Sequence, residues 1–340
     1  MPALSAFVTN ITQDRFIPRV QDNVMSGNVI ALRLMKQARP WNGGTPIRVP
    51  VALSDITAVG SYSGFDTLST VQEDTRQLAS FNPSQLYVSV PISGIQRAAN
   101  SGDAAVLDLV ATELEWRTNR LRDEFGTEIY GDGTGNSSKD ILGLIAHVDD
   151  TTAGITTYGG ISRSAFTNWR ATYTSQSGAI ALANLAADFN AAQIGNESPT
   201  IMVTTPAVFN LVEALFNTKA TYNTNQQDIA LDENGIPRSY GAGVPSIGGG
   251  YRALFFRGIP LVQDDKCTAA NLYTLNEKHL FFYILPQPVG FTVESERDGF
   301  GWTGWLQGVN QDAVVGRLQW YGQLIGDGPR YHARRVAITT

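Results

Sequence analysis

Cysteine occurs once, at Cys267, so no intrachain disulfide can staple the chain, and a reducing compartment fits. Long apolar runs are missing too. None approaches the ~20 residues of a membrane span. The opening "MPALSAFVTNITQDRF" lacks a charged region followed by an apolar core, so it does not read as a secretory signal. These absences predict a soluble protein made in the cytoplasm, with no membrane partner. Charge is also scarce. Asp, Glu, Lys and Arg make up 16% of the chain, against about 25% in an ordinary soluble domain. A chain so poor in charge has difficulty covering a monomer's surface, which predicts that partners cover much of it. The net charge is −6 with no basic block. That argues against a sequence-specific DNA reader, which needs a basic patch to neutralise phosphates, but leaves looser contact with packed nucleic acid open. The 43% of apolar residues, spread over 340 positions, suffices for a substantial core and two or three domains.

Catalytic patterns are equally thin. His147, His279 and His332 are scattered, with no H-x-x-x-H and no cysteine pair to complete a zinc site. No G-x-S-x-G elbow exists, since "GSYSG" at 60–64 puts Tyr62 at its centre. Nothing singles out a base for Cys267, and a small buried thiol is the commoner case. Glu113, Glu115 and Asp123 offer carboxylates, but on a helix face rich in opposite charge, where solvated pairing is expected. Trp302, Trp305 and Trp320 would suit a sugar platform less well than core or interface packing. The loop "EIYGDGTGNSSKDILGL" at 128–144 looks most like a ligand site. Its glycines, Gly131, Gly133 and Gly135, are spaced G-x-G-x-G and follow a helix, so the negative end of the helix dipole faces any phosphate. As a calcium loop starting at Asp132, it has Ser137 where glycine belongs and Gly143 where glutamate belongs. Helix termination by glycine followed by a turn is the simpler reading. No catalytic residue, cofactor-binding residue or metal ligand is assigned, no cofactor is implied, and an enzyme is not expected.

What is present is a distinctive order of elements. Residues 1–44 read as an arm, with a short amphipathic helix around "VIALRLMKQA". Two alternating, β-branched runs follow, "TPIRVPVAL" at 45–53 and "QLYVSVPIS" at 85–93. About thirty residues of little core character separate them, which reads as a hairpin projecting from the body. Leu107, Val110, Leu114, Leu121, Phe125 and Ile129 then recur at helical spacing over 103–130. Glu113 with Arg117 and Arg120 with Glu124 are spaced i,i+4 on the other face. This predicts an unusually long spine helix of about 42 Å at ~1.5 Å per residue. A second helix is expected at 179–194, a strand and helix at "TIMVTTP" and "AVFNLVEALF", a loop at 220–252, and strands again to the end, among them "QDAVVGRLQWYGQLI" and "RRVAITT". No repeat of 20–50 residues occurs.

Arm, projecting hairpin, spine helix and a mixed region closed by a late long strand: this order resembles the major capsid proteins of tailed double-stranded DNA bacteriophages, the Hong Kong 97 fold. "RVQDNVMSGNVIALRL" with "NGGTPIRVPV" looks like that family's approach to its extended loop, and "YSGFDTL" like the loop's middle. "GDGTGNSSKDILGL" looks like the turn after the spine helix, and "YGGISRSAFTNWR" like a peripheral-domain segment. "RGIPLVQDD" with "LYTLNEKHL" resembles axial-domain strands, and "NQDAVVGRLQWYGQLIGDGPRYHARR" the closing strand and tail. The resemblance implies an α+β fold with an N-terminal arm at 1–44, an extended β-hairpin loop at 45–92 and a peripheral domain at 93–194. An axial domain at 195–300 and a return strand with tail at 301–340 complete it. It implies a shell subunit forming hexamers and pentamers of an icosahedral head, assembled in the bacterial cytoplasm and residing in the virion. Scaffolding, portal and decoration proteins would be partners, with non-specific contact to packaged double-stranded DNA. If Met1 is the native start, a separate scaffolding protein is expected, since no long charged helical pro-segment precedes the arm. The alternative is an encapsulin-type compartment shell holding enzyme cargo. Encapsulins are usually smaller with shorter extended loops, so the thirty-residue insertion favours the phage reading.

One departure has a direct consequence. The family's type member locks its shell with an isopeptide bond from a lysine in the extended loop, and residues 45–92 contain no lysine. Assembled shells heated in reducing SDS should therefore run as a single band of about 37 kDa. A ladder of covalent oligomers would refute this.

Overall fold

The structure is a computed structural model and describes residues 28–41, 43–44, 46–99, 109–217, 253–285, 292–293, 300–307 and 312–339. The amphipathic segment near the start is helix α1, Val29–Lys36. The Asn28 Oδ1 accepts the Ala31 N–H at 2.8 Å, capping it, and Val29, Ile30 and Leu34 are buried. The two residues Arg39–Pro40 form β1. Strand β2, Ile47–Ala52, then pairs antiparallel with β3, Arg76–Phe81.

That pairing corrects the expectation from sequence. The run at 85–93 is not the return leg of the hairpin. It belongs to β4, Ser84–Ser93, which pairs along ten residues with β16, Ala313–Gly326. The true return leg, "RQLASF", shows little apolar pattern because only Ala79 and Phe81 face inward. They meet Tyr158, Ile161 and Trp169 in a cluster beneath the hairpin.

After a short helix α2, Gly94–Ala99, the spine is α3, Leu109–Glu128. At ~1.5 Å per residue its described length is about 30 Å. The expected residues 103–108 lie outside the described part, and the helix ends two residues before 130. Leu121 and Phe125 are buried, with the Phe125 ring edge-on to Trp320 at 4.8 Å and tilted against Phe282 at 5.3 Å. The Glu113–Arg117 and Arg120–Glu124 pairs both form.

Downstream come short strands β5 (Thr157–Tyr158) and β6 (Ile161–Ser162), then β7 (Thr172–Gly178), helix α4 (Leu182–Ala192), β8 (Ile201–Thr204) and helix α5 (Pro206–Asn217). The loop expected at 220–252 lies outside the described residues. Strands β9 (Ala253–Phe256), β10 (Ile259–Gln263), β11 (Leu272–Leu275), β12 (Leu280–Ile284), β13 (Thr292–Val293), β14 (Phe300–Trp302) and β15 (Leu306–Gln307) lead to β16 and to β17, Ala333–Ile338. Among the described residues these build two main sheets. One has seven strands, with β16 pairing β12, β14, β15 and β4; the other has six, in the order β7-β17-β11-β8-β10-β9. Helices α4 and α5 cover one face of the six-stranded sheet through Leu185, Val208 and Val212.

The glycine loop is the spine's exit. Gly131 N–H donates to the Glu128 carbonyl at 2.9 Å, and Leu144 N–H donates to the Ile129 carbonyl at 2.7 Å. Gly133 has φ +78°. The tightest position is Gly143, where an added Cβ would lie 2.4 Å from the Ile129 oxygen and 2.6 Å from those of Glu128 and Gly131. Gly143→Ala should therefore cost about 1–3 kcal/mol by overpacking against backbone. Gly64→Ala, in open space, should be near neutral. Urea midpoints of the two variants compare them directly.

Candidate assembly surfaces

The feature least explained by the fold of a single chain is the hairpin's distal part, residues 53–75. Its root is rigid. Asn168 Nδ2 donates to the Leu53 carbonyl at 3.0 Å, Ser80 N–H donates to the Gly159 carbonyl at 2.8 Å, and Trp169 Nε1 donates to the Tyr158 carbonyl at 2.9 Å. Two rungs then hold the legs together. Leu53 N–H donates to the Thr75 carbonyl at 3.0 Å, and the Glu73 carboxylate accepts both the hydroxyl and the N–H of Thr57. Asp66 turns the chain by accepting the Ser63 N–H at 2.7 Å.

Beyond the root the side chains touch little. Ile56, Val59, Tyr62, Leu68 and Val71 are more than half exposed and Phe65 is fully exposed. Covering any one of them is worth about 1.5–3 kcal/mol, and six large apolar side chains exposed within this one segment mark an interaction surface. The same residues hold four acids, Asp55, Asp66, Glu73 and Asp74, and no Lys or Arg. A second open surface lies on the side of β4 and β16 that points away from the core. There Tyr87, Ser89, Pro91, Val315, Arg317 and Gln319 line a shallow cavity of about 570 Å³.

The residues weighed as chemistry fall elsewhere. Asp132 is taken up by its own loop, accepting the N–H and hydroxyl of Thr134 at 2.9 and 2.8 Å, which hold its carboxyl below the usual range. Asp123 is tied to Arg120 at 2.7 Å and Lys266 at 2.6 Å, and Glu113 to Arg117 at 3.1 Å, while Glu115 faces solvent. Cys267 is buried, and burial pushes its thiol up, away from the reactive thiolate. Trp320 is core, Trp302 lies over Gly316, and Trp305 is partly exposed beside it. The histidines, scattered in sequence, are not scattered in space: His147 and His332 pack ring against ring at 4.6 Å. No group of three metal-ligating side chains occurs among the described residues, and no described helix is long and apolar enough to cross a membrane. Sequence reading missed the bidentate pairs Arg33–Glu277 and Arg335–Asp188, whose members lie too far apart in the chain for any local signal.

No family model matches the sequence, nor does any curated protein. Solved structures do. The capsid asymmetric unit of cyanophage A-1(L) superposes with a TM-score of 0.75 at 18% identity, covering 99% of this chain and 100% of that one. The chain has the phage capsid fold. The capsid of an empty GTA particle matches at TM-score 0.60 and 13% identity, covering 98% of each chain. The holo-SrpI encapsulin complex from Synechococcus elongatus PCC 7942 matches at 0.59 and 11%, over 99% of this chain and 96% of that one. These superpositions run over nearly the whole chain, the projecting hairpin and the long helix packed on β4 included.

A perturbed group sits where the spine ends. Burial, and then the carboxylates of Asp140 and Glu124, push Glu128 up to about 7 against the pull of the Ile141 N–H, which donates to it at 3.1 Å. A pKa raised by folding means that the ionised form is penalised in the fold, so stability is lost as pH rises from about 4.5 through about 7. Glu128→Gln keeps the acceptor without the charge. It should be more stable than the native chain at pH above 7, by on the order of 1 kcal/mol after allowing for partial solvent screening. The gap should close by about pH 4, where the carboxyl is protonated in both states, as read from urea midpoints at both pH values.

Proposed function

We propose that the chain is a major capsid protein, a shell subunit that self-assembles into the hexamers and pentamers of an icosahedral phage head around double-stranded DNA. The observation that carries this is the superposition on the cyanophage capsid subunit, end to end for both chains. The exposed apolar hairpin supports it independently, because a lone soluble domain has no use for such a surface.

On this reading residues 1–44 are the arm, 45–83 the extended loop reaching over a neighbouring subunit, and 84–194 with 301–340 the peripheral domain around the spine. Residues 195–300 form the axial domain at the capsomer centre. The role is structural rather than catalytic. Scaffolding, portal and decoration proteins, and loose contact with packaged DNA, follow as partners; the virion is the site of action and the host cytoplasm the site of assembly. The encapsulin reading stays as the second one because the SrpI shell shares the fold, although its TM-score of 0.59 lies below the 0.75 of the cyanophage subunit.

Electron microscopy of the assembled material separates these readings. Angular, DNA-filled shells support the first, small cargo-filled cages support the second, and a persistent monomer would sink both. Phe65→Asp combined with Val59→Asp should abolish shell formation while leaving near-UV circular dichroism unchanged, because neither side chain touches the core. Shells forming normally from this variant would remove the hairpin from the interface.

A further inference from the structure

The chain passes between its two main sheets three times, and the last two passages, the direct ones, each carry a histidine. From β11 to β12 it passes through Asn276–His279, and from β16 to β17 through Asp327–His332. The crossings are stapled to each other. Asn276 N–H donates to His332 Nδ1 at 3.2 Å. His279 stacks on Tyr331 at 4.1 Å, its Nδ1 lies 2.8 Å from Asp327 Oδ1, and Asp327 N–H donates to the His279 carbonyl at 3.2 Å. The third histidine closes the cluster. His147 lies edge-on to His332, and its ring occupies the space over Gly326, where an added Cβ would sit 1.9 Å from Cε1.

His147 and His332 are fully buried, and neither nitrogen of His147 nor Nε2 of His332 has a hydrogen-bond partner among the described residues. Because His332 Nδ1 accepts, the neutral ring has its proton on Nε2. The groups facing the pair give an added proton little welcome. Arg163 donates to the His147 carbonyl at 2.8 Å, with Asp149 behind it at 3.8 Å. Tyr158 packs on His147, and Arg330 lies over Tyr331. The carboxylates on this side, Asp327 and Glu197, face His279, and Glu197 is also taken by Lys278.

We propose that His332, seated against His147, is an acid-operated latch on the two sheet crossings. Proton uptake from solvent at Nδ1 converts the acceptor of the Asn276 N–H into a second donor facing it, so the staple opens while each sheet keeps its own ladder. Folding agrees with this direction. Burial, then His279, depress His332 to about 3, and burial, then His332 and Arg163, hold His147 well below its ordinary 6.5. Both rings are thus neutral in the fold, and the stability they permit is present above about pH 6.5 and lost as pH falls from there toward about 3.

Hydrogen exchange followed by mass spectrometry, corrected for the intrinsic pH dependence of exchange, tests this on the full chain in its native assembly state. Peptides spanning 276–279 and 327–332 should open in acid, their protection falling about tenfold per pH unit as one proton is taken up, while peptides from β4 and the middle of β16 stay protected. His332→Asn, whose Oδ1 can stand in for Nδ1 and does not titrate, should abolish that pH dependence. Should this variant fail to fold, the native chain alone decides. Protection lost equally in β4 and β16, or crossings whose protection does not change with pH, would overturn the latch, as would an unaltered acid opening in a folded His332→Asn.

Discussion

One strand is shared by almost everything in the seven-stranded sheet. β16 pairs with β4 along most of its length and with β12, β14 and β15 along parts of it. Its alternation sends Leu318, Trp320 and Leu324 into the core. The same parity holds Gly316, Gly322 and Gly326, each where another group presses on the strand. The Trp302 ring covers Gly316, the Tyr283 carbonyl and Trp320 ring crowd Gly322, and His147 covers Gly326. Glycine weakens a strand, so its placement here marks positions where close approach outweighs lost propensity. Three elements remote in sequence are located by these three gaps: the β14 arm, the β12 neighbour and the turn after the spine.

Local pattern made the long elements legible. The alternation in 47–52, 84–93 and 313–326, and the helical spacing of Leu121 and Phe125, each report a face buried against something. What they do not report is against what. Alternation alone makes 85–93 the partner of 45–53. The partner of 47–52 is instead 76–81, whose pattern is faint because the turn at Gly159 fills the space a larger inward side chain would need. The convergence of three histidines is invisible in the sequence, since they sit on a turn and two crossings whose meeting is set by tertiary structure.

Scarce charge in the sequence also takes on a different meaning. Several of the few ionic groups are paired and buried or half-buried: Arg335 with Asp188, half-buried Arg33 with buried Glu277, and Arg163 with Asp149 and backbone carbonyls. Such pairs add little net stability over apolar replacements, but breaking one leaves an uncompensated buried charge. They therefore fix where α1, α4 and the turn after the spine can sit.

The hairpin and the sheet crossings are not independent devices. Phe81, at the end of β3, meets Tyr158 edge-on at 5.0 Å; Tyr158 meets His147 at 5.2 Å; His147 meets His332 at 4.6 Å. The Gly326 N–H donates to the Tyr158 hydroxyl at 3.1 Å, tying the same ring to the end of β16. The footing of the exposed tip and the junction of the two sheets thus form one close-packed row of rings. Packed interiors pass displacement on instead of absorbing it. His147 at the crossings thus has Tyr158 as its next neighbour, and Tyr158 in turn packs against Phe81 under the root on which residues 53–75 stand.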